Sequence, residues 1–305
     1  MLPFPRFSFE APDTVAEAVR LSALPRAMLL SGGTDLLPSV KHRLFQPDVL
    51  VSTRRLRELR GVREGADGGL TVGAGMRLSE LSRDAQVRLR FPALAAATAS
   101  VATPTIQRMG TLGGNLMLDT RCMYYNQPAG WRAALGGCLK CEGTVCHVAP
   151  KGAGCYAAHS ADTVPVLHLL GAVACFATTS GDLRIPVAEL YGDDGRTWLN
   201  SPPGALLVSV DIPDAKAPIA YRKLRQRGAI DYGLVLTAVT REAEGFRAVI
   251  SAVGPRPIEV SGATAEALVD AALAVVQPLA THQQAVPWRR KMVKVELRRA
   301  IGELG

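Results

Sequence analysis

The sequence predicts an α+β protein built in two parts, the second beginning near residue 200. Three observations carry this. Strand-like and helix-like segments alternate through the first hundred residues, a Pro/Gly cluster at Asn200-Ser-Pro-Pro-Gly204 marks a boundary, and 305 residues suit about two domains at roughly 150 each.

The first helix is signalled by Asp13 or Thr14 as N-cap, with Val15, Ala18 and Val19 on one face. Ala27-Met-Leu-Leu reads as a short strand running into Ser31-Gly32-Gly33-Thr34-Asp35. Further strands are expected at 48–52 and 69–75, then a helix from Leu78 and a longer helix-compatible stretch from Pro92 to Ala102. A second glycine turn follows at Gly110-Thr-Leu-Gly-Gly-Asn115. Residues 119–160 show neither the helical nor the strand period and hold six glycines at 130, 136, 137, 143, 152 and 154, so they read as a loop-rich insertion. Strands are then expected near 172–177, 206–212 and 246–253, with a further ordered segment at 219–224. Helices are expected at 230–241, from Thr264 to Val276, and in the basic C-terminal segment.

Composition narrows the function. Lys and Arg number 35 against 27 Asp and Glu, leaving +8, with Arg289, Arg290, Lys291, Lys294, Arg298 and Arg299 clustered late. Apolar residues run through that cluster, so it reads as a solvated helix face or a subunit contact, not as a nucleic-acid arm. The longest apolar run, 164–177, is shorter than the ~18–20 residues of a membrane span and carries His168. No basic-then-apolar leader opens the chain, so a cytoplasmic protein is expected. There is no Walker lysine, HExxH or GxSxG, and Val72-Gly-Ala-Gly lacks the third glycine of a dinucleotide fingerprint, so Gly73 and Gly75 read as structural.

The two glycine turns and the cysteines carry the chemistry. A strand ending in Ser-Gly-Gly-Thr lets backbone N–H groups close on an anion, and two such turns about 80 residues apart suit the two ends of one diphosphate. Five of six cysteines, Cys122, Cys138, Cys141, Cys146 and Cys155, lie in the irregular insertion. In a reducing compartment that density favours metal over disulfide. Spacing alone leaves an iron–sulfur cluster, a zinc site with His147 as a further ligand, and unligated thiols all open. Cys175 sits in an apolar strand and reads as core; His42, His159, His168 and His282 read as structural or surface residues.

These motifs together resemble the FAD-binding subunit of the molybdenum hydroxylases, the xanthine and carbon monoxide dehydrogenase family. Besides both turns, Phe9–Ala18, Ser160-Ala-Asp162 with Pro165–Ala172, and Tyr221–Arg227 with Asp231-Tyr-Gly-Leu-Val are similar to family segments, over essentially the whole chain. The resemblance implies a two-part FAD-binding domain of the PCMH/VAO-like type over residues 1–200, carrying the insertion at 119–160, and a smaller α+β C-terminal domain over 201–305. It implies that Leu29, Leu30, Ser31, Gly32, Gly33, Thr34, Asp35 and Leu36, with Thr111, Leu112, Gly113, Gly114 and Asn115, hold the pyrophosphate and nearby hydroxyls. Val101 would line the flavin pocket, Asp162 would accept from ribityl or adenosine hydroxyls, and Leu207 and Lys223 would approach from the second part.

The insertion is similar to that of the 4-hydroxybenzoyl-CoA reductase branch of the family, whose FAD subunit carries a [4Fe–4S] cluster. Its ligands match Cys122, Cys138, Cys146 and Cys155, leaving Cys141 spare. The expectation is an electron-transfer subunit without a catalytic residue of its own. Partner chains would carry a molybdopterin cofactor and two [2Fe–2S] clusters in a dimer of heterotrimers. Reduced ferredoxin would donate electrons for reductive dehydroxylation of 4-hydroxybenzoyl-CoA. The alternatives are the FAD subunit of an oxidising hydroxylase and a non-catalytic module with structural zinc.

Overall fold

The computed structural model describes residues 2–65, 67–215 and 217–305. The first third is built as β1 (Ser8–Glu10), α1 (Val15–Ser22), β2 (Ala27–Leu30), α2 (Leu36–Lys41), β3 (Val49–Ser52), β4 (Val62–Glu64), β5 (Leu70–Gly73), α3 (Leu78–Leu81), α4 (Ala85–Arg90), α5 (Pro92–Ala99), α6 (Pro104–Gln107) and α7 (Leu112–Leu116). Thr14 caps α1 by accepting from Glu17 N–H, which fixes the start that the sequence signalled. α5 ends earlier than its apolar run, because Ala102 turns to a left-handed φ of 43°.

The insertion contains one helix, α8 (Ala129–Ala134), and is otherwise irregular. The chain continues through α9 (Val164–Leu169), β6 (Val173–Thr178), β7 (Gly181–Pro186) and β8 (Leu206–Ile212). It closes with β9 (Ile219–Leu224), β10 (Val235–Glu242), β11 (Gly245–Ser251), β12 (Ile258–Gly262), α10 (Ala265–Val275) and α11 (Val286–Gly302).

Among the described residues the strands form three sheets. β1, β3 and β2 form a parallel sheet in that order. β4-β5-β8-β6-β7 form an antiparallel sheet, and β12-β11-β10-β9 a second one covered by α10 and α11. The largest core joins β5, β6 and β8 to α5 and α9. This is the expected α+β class, with β8 pairing inside the five-stranded sheet and the four-stranded sheet starting only at β9.

Where a helix is expected at 230–241, residues 230–234 are irregular and Val235–Glu242 form β10. An unbroken apolar run has no period to separate helix from strand. Here Val235 to Thr240 are buried on both faces, between α9 and α11 and between strands β9 and β11. Cys175 is also only half-buried rather than core: its thiol lies 3.3 Å from an Asp211 carboxylate oxygen, beside Arg184.

The C-terminal basic helix is not uniformly solvated. Arg289 is fully buried, and its guanidinium donates to the carbonyls of Leu279, Leu234 and Ala252. Those carbonyls belong to three separate segments, so one side chain satisfies acceptors that helix and sheet leave over. Replacing it with Met strands several buried acceptors at ~1–3 kcal/mol each. Arg289→Met is therefore expected to destabilise the protein by about 3–5 kcal/mol, read by denaturant unfolding, while exposed Lys291→Met changes little.

Candidate functional site

The first glycine turn leaves β2 at Leu30 and enters α2 at Leu36; the second runs from the end of α6 into α7. They meet face to face. Ser31 and Thr111 share a hydroxyl–hydroxyl hydrogen bond of 2.9 Å, and a Cβ on Gly32 would lie 2.1 Å from the Met109 carbonyl oxygen. Gly33 takes φ +72°, a conformation that side chains resist. Thr111 caps α7 by accepting from Gly114 N–H, and a Cβ on Gly113 would meet Ala74 at 2.9 Å. Gly73 and Gly75 pack their backbones on Leu59, the structural role expected of them.

Between the turns opens a cleft of about 670 Å³, within the range of ligand sites. Its lining brings together Leu29, Ser31, Gly32, Gly33, Thr34, Asp35, Leu36, Val101, Thr111, Gly113, Gly114, Asn115, Asp162 and Leu207. Leu30 and Leu112 stand outside it; Leu112 is buried in the main core. Lys223 is outside too: its ammonium is buried 2.6 Å from Asp162 and donates to the Ser100 carbonyl. Burial raises the Asp162 carboxyl above its ordinary range, and Lys223 pulls against that rise. Asn115 spends its side-chain oxygen on Thr163, tying the second turn to the Asp162 segment.

Among the described residues, no backbone acceptor takes the N–H groups of Gly32, Gly33 or Thr34. Unpaired donors beside a wide cleft form a cradle for a polyanion. A diphosphate-bearing cofactor therefore fits the donor set.

Asp119, Ile230, Asp231 and Tyr232 also line the cleft. Asp35 accepts from both Arg121 and the Tyr232 hydroxyl at 2.8 Å, and the Arg121 guanidinium lies 3.9 Å from the Tyr232 ring centre. One carboxylate thus joins the first turn, the insertion and the β9–β10 loop. Ile230 holds a φ of 69°, unusual for a β-branched residue, and donates its N–H to the equally strained Ala102.

A second, smaller cavity lies in the insertion. Cys122, Cys138, Cys146 and Cys155, all buried, line it with Tyr124, Tyr125, Lys140 and His147. Cys141 is more exposed and is absent from the lining. His147 is already engaged, its Nε2 lying 2.6 Å from the Gly137 carbonyl. Burial pushes the Cys122 thiol up to about 11, although the N–H groups of Tyr124 and Tyr125 point at its sulfur; Cys155 is raised likewise and accepts from Ala157.

Among the described residues no three Cys, His, Asp or Glu side chains are gathered to hold a single metal ion. Four buried thiols nonetheless line one common space, with N–H groups aimed at the sulfurs of two of them.

Sequence reasoning missed Asp119, Arg121, Lys140, Gly195 and Tyr232. Lys140 bonds Asp119, Thr120 and the Gly195 carbonyl, and a Cβ on Gly195 would meet the Cys155 sulfur at 3.0 Å. The charged residues flanking Cys122 and Cys138 were the available signal; their partners lie far off in sequence. Among the described residues no helix is long and apolar enough to cross a membrane.

Residues 5–215 match the family described as FAD binding domain in molybdopterin dehydrogenase. The aldehyde oxidoreductase FAD-binding subunit PaoB of Escherichia coli is 32% identical over 276 residues, 85% of each chain. The carbon monoxide dehydrogenase medium chain of Hydrogenophaga pseudoflava is 40% identical over 118 residues, 38% of this chain and 40% of that one. In fold, a chain of quinoline 2-oxidoreductase from Pseudomonas putida 86 superposes with a TM-score of 0.80 over 99% of this chain and 98% of that one, at 23% identity. With its two glycine turns closing one cleft, the chain belongs to the FAD-binding subunits of the molybdenum hydroxylases.

Proposed function

We propose that this protein is the electron-transfer flavo-iron–sulfur subunit of a molybdenum enzyme, with FAD in the cleft and a [4Fe–4S] cluster on Cys122, Cys138, Cys146 and Cys155. The carrying observation is that the four matching cysteines line one cavity while Cys141 does not. FAD supplies the exchange between one- and two-electron carriers. The chain's own residues bind and separate. The turns at 31–34 and 110–115 cradle the diphosphate, the Asp162–Lys223 pair stiffens the middle of the cleft, and Asp35, Arg121 and Tyr232 lock the C-terminal part over it.

Segment 119–122 supports the pairing of the two sites. Asp119 lines the cleft and Cys122 lines the thiol cavity. Three residues of chain separate their Cα atoms by at most about 11 Å. In this reading residues 1–200 form the FAD-binding part and 201–305 the C-terminal part, with β8 reaching back into the first part's sheet.

Partner chains then carry the molybdopterin cofactor and the [2Fe–2S] clusters, in a dimer of heterotrimers working in the cytoplasm. The insertion favours the 4-hydroxybenzoyl-CoA reductase direction, electrons entering from ferredoxin. The 32% identity to an aldehyde oxidoreductase subunit favours a second reading, an oxidising hydroxylase with electrons leaving by the same route. Substrate turnover by the co-purified complex separates the two: reduction of 4-hydroxybenzoyl-CoA against oxidation of aldehydes.

Among the described residues no His or Cys lines the cleft to link the flavin covalently. Acid precipitation of the purified complex is therefore expected to release all flavin, as FAD, into the supernatant. Yellow colour held in the pellet contradicts the noncovalent site, and a complex without flavin contradicts the function.

A further inference from the structure

The Lys140 ammonium stands between the two cavities. It lines the thiol cavity, while its ion-pair partner Asp119, 2.5 Å away, lines the flavin cleft. The two side chains are only 7% and 15% exposed. Lys140 also donates to the Thr120 hydroxyl at 2.5 Å and the Gly195 carbonyl at 2.8 Å, and lies 4.6 Å from the Tyr125 ring centre. Burial, and then the neighbouring Asp119 carboxylate, hold the Tyr125 hydroxyl protonated. A buried ammonium held this tightly cannot turn away to water, so its charge acts on whatever its neighbours hold.

Lys140 lines the same cavity as Cys122, Cys138, Cys146 and Cys155, and its charge acts on Cys155 in particular. Bound as thiolates to an iron–sulfur core they carry net negative charge, and reduction adds one more. A fixed cation beside them stabilises the reduced form; the Asp119 carboxylate offsets part of that effect. Cluster potentials respond to net charge and to the hydrogen bonds around the sulfurs.

We propose that Lys140 is a positioning residue that sets the reduction potential of the centre on the four thiols, with Asp119 setting how much of its charge that centre feels. The proposal rests on the cluster assigned under Proposed function. Lys140 also braces the insertion: through Gly195 it holds the turn whose N–H donates to the Cys155 carbonyl. A purely structural brace and an electrostatic one predict different results.

The test is a dithionite titration of the intact complex, followed by electron paramagnetic resonance near liquid-helium temperature, with iron and flavin measured on each sample. Lys140→Met is expected to shift the reduction equilibrium at least tenfold towards the oxidised form, 59 mV for a one-electron couple. Lys140→Arg should stay within threefold of the parent. Asp119→Asn, which leaves the cation less neutralised, should shift the equilibrium the opposite way. Opposite signs are beyond a merely structural role. Unchanged potential in Lys140→Met with iron retained overturns the proposal, and so do shifts of the same sign in Lys140→Met and Asp119→Asn. If Lys140→Met loses its iron, Asp119→Asn decides alone: a potential no higher than the parent's overturns it. A parent complex without the cryogenic signal fails earlier, and takes the cluster reading down with the proposal.

Discussion

Gly32→Val is expected to yield protein without flavin and with stability lowered by more than about 4 kcal/mol, the range that marks a backbone or packing conflict. The sequence argument places Gly32 where a phosphate approaches. The structure adds a harder reason: the space of a Cβ is already filled by the Met109 carbonyl at 2.1 Å and by Gly110 at 2.9 Å, all backbone. Neither turn can yield without breaking the Ser31–Thr111 bond that seats them together. Gly130→Val, whose Cβ meets open space, is the matched control and should keep its flavin. Full flavin occupancy in Gly32→Val would remove the two-turn clasp from the account.

Removal of a single thiol should divide the insertion's cysteines into two classes. Cys122→Ser and Cys155→Ser are expected to lose about four irons per chain relative to the parent complex, as a cubane lacking a ligand falls apart, and to open residues 119–160 to protease. Cys141→Ser should keep them all. Chain distance does not argue against Cys122, since each doubling of a loop adds only about 0.6 kcal/mol. The structure places Cys122 on the wall of the thiol cavity and leaves Cys141 outside, beside Arg132. Iron lost from Cys141→Ser and kept in Cys122→Ser would restore the Cys138-x-x-Cys141 pairing instead.

Local signals were legible wherever the backbone itself decides. The Thr14 cap, the strand into Ser31-Gly-Gly-Thr, and the strand at 206–212 are fixed by caps, turns and short apolar runs, and the structure places them as expected. The error at 230–241 came from a run apolar on both faces, where only the neighbouring strands determine the outcome. Arg289 misled for the opposite reason: charge in a basic helix suggests solvent, yet three carbonyls from distant segments draw it inside. In the site, the glycines and cysteines announce themselves by type. Asp119, Arg121, Lys140 and Tyr232 do not, because a charge has no meaning until its partner is known, and Asp35 meets Tyr232 across 197 residues.

The central claim is that one chain holds FAD and, within a few residues of it, a four-iron cluster. It is tested most directly by electron paramagnetic resonance of the anaerobically purified, dithionite-reduced complex, with iron, zinc and flavin quantified on the same sample. The account predicts one FAD per copy of this chain and a fast-relaxing signal, visible only near liquid-helium temperature, that Cys122→Ser abolishes while the partners' [2Fe–2S] signals remain. Stoichiometric zinc in the insertion, with no such signal in the parent complex, would contradict it.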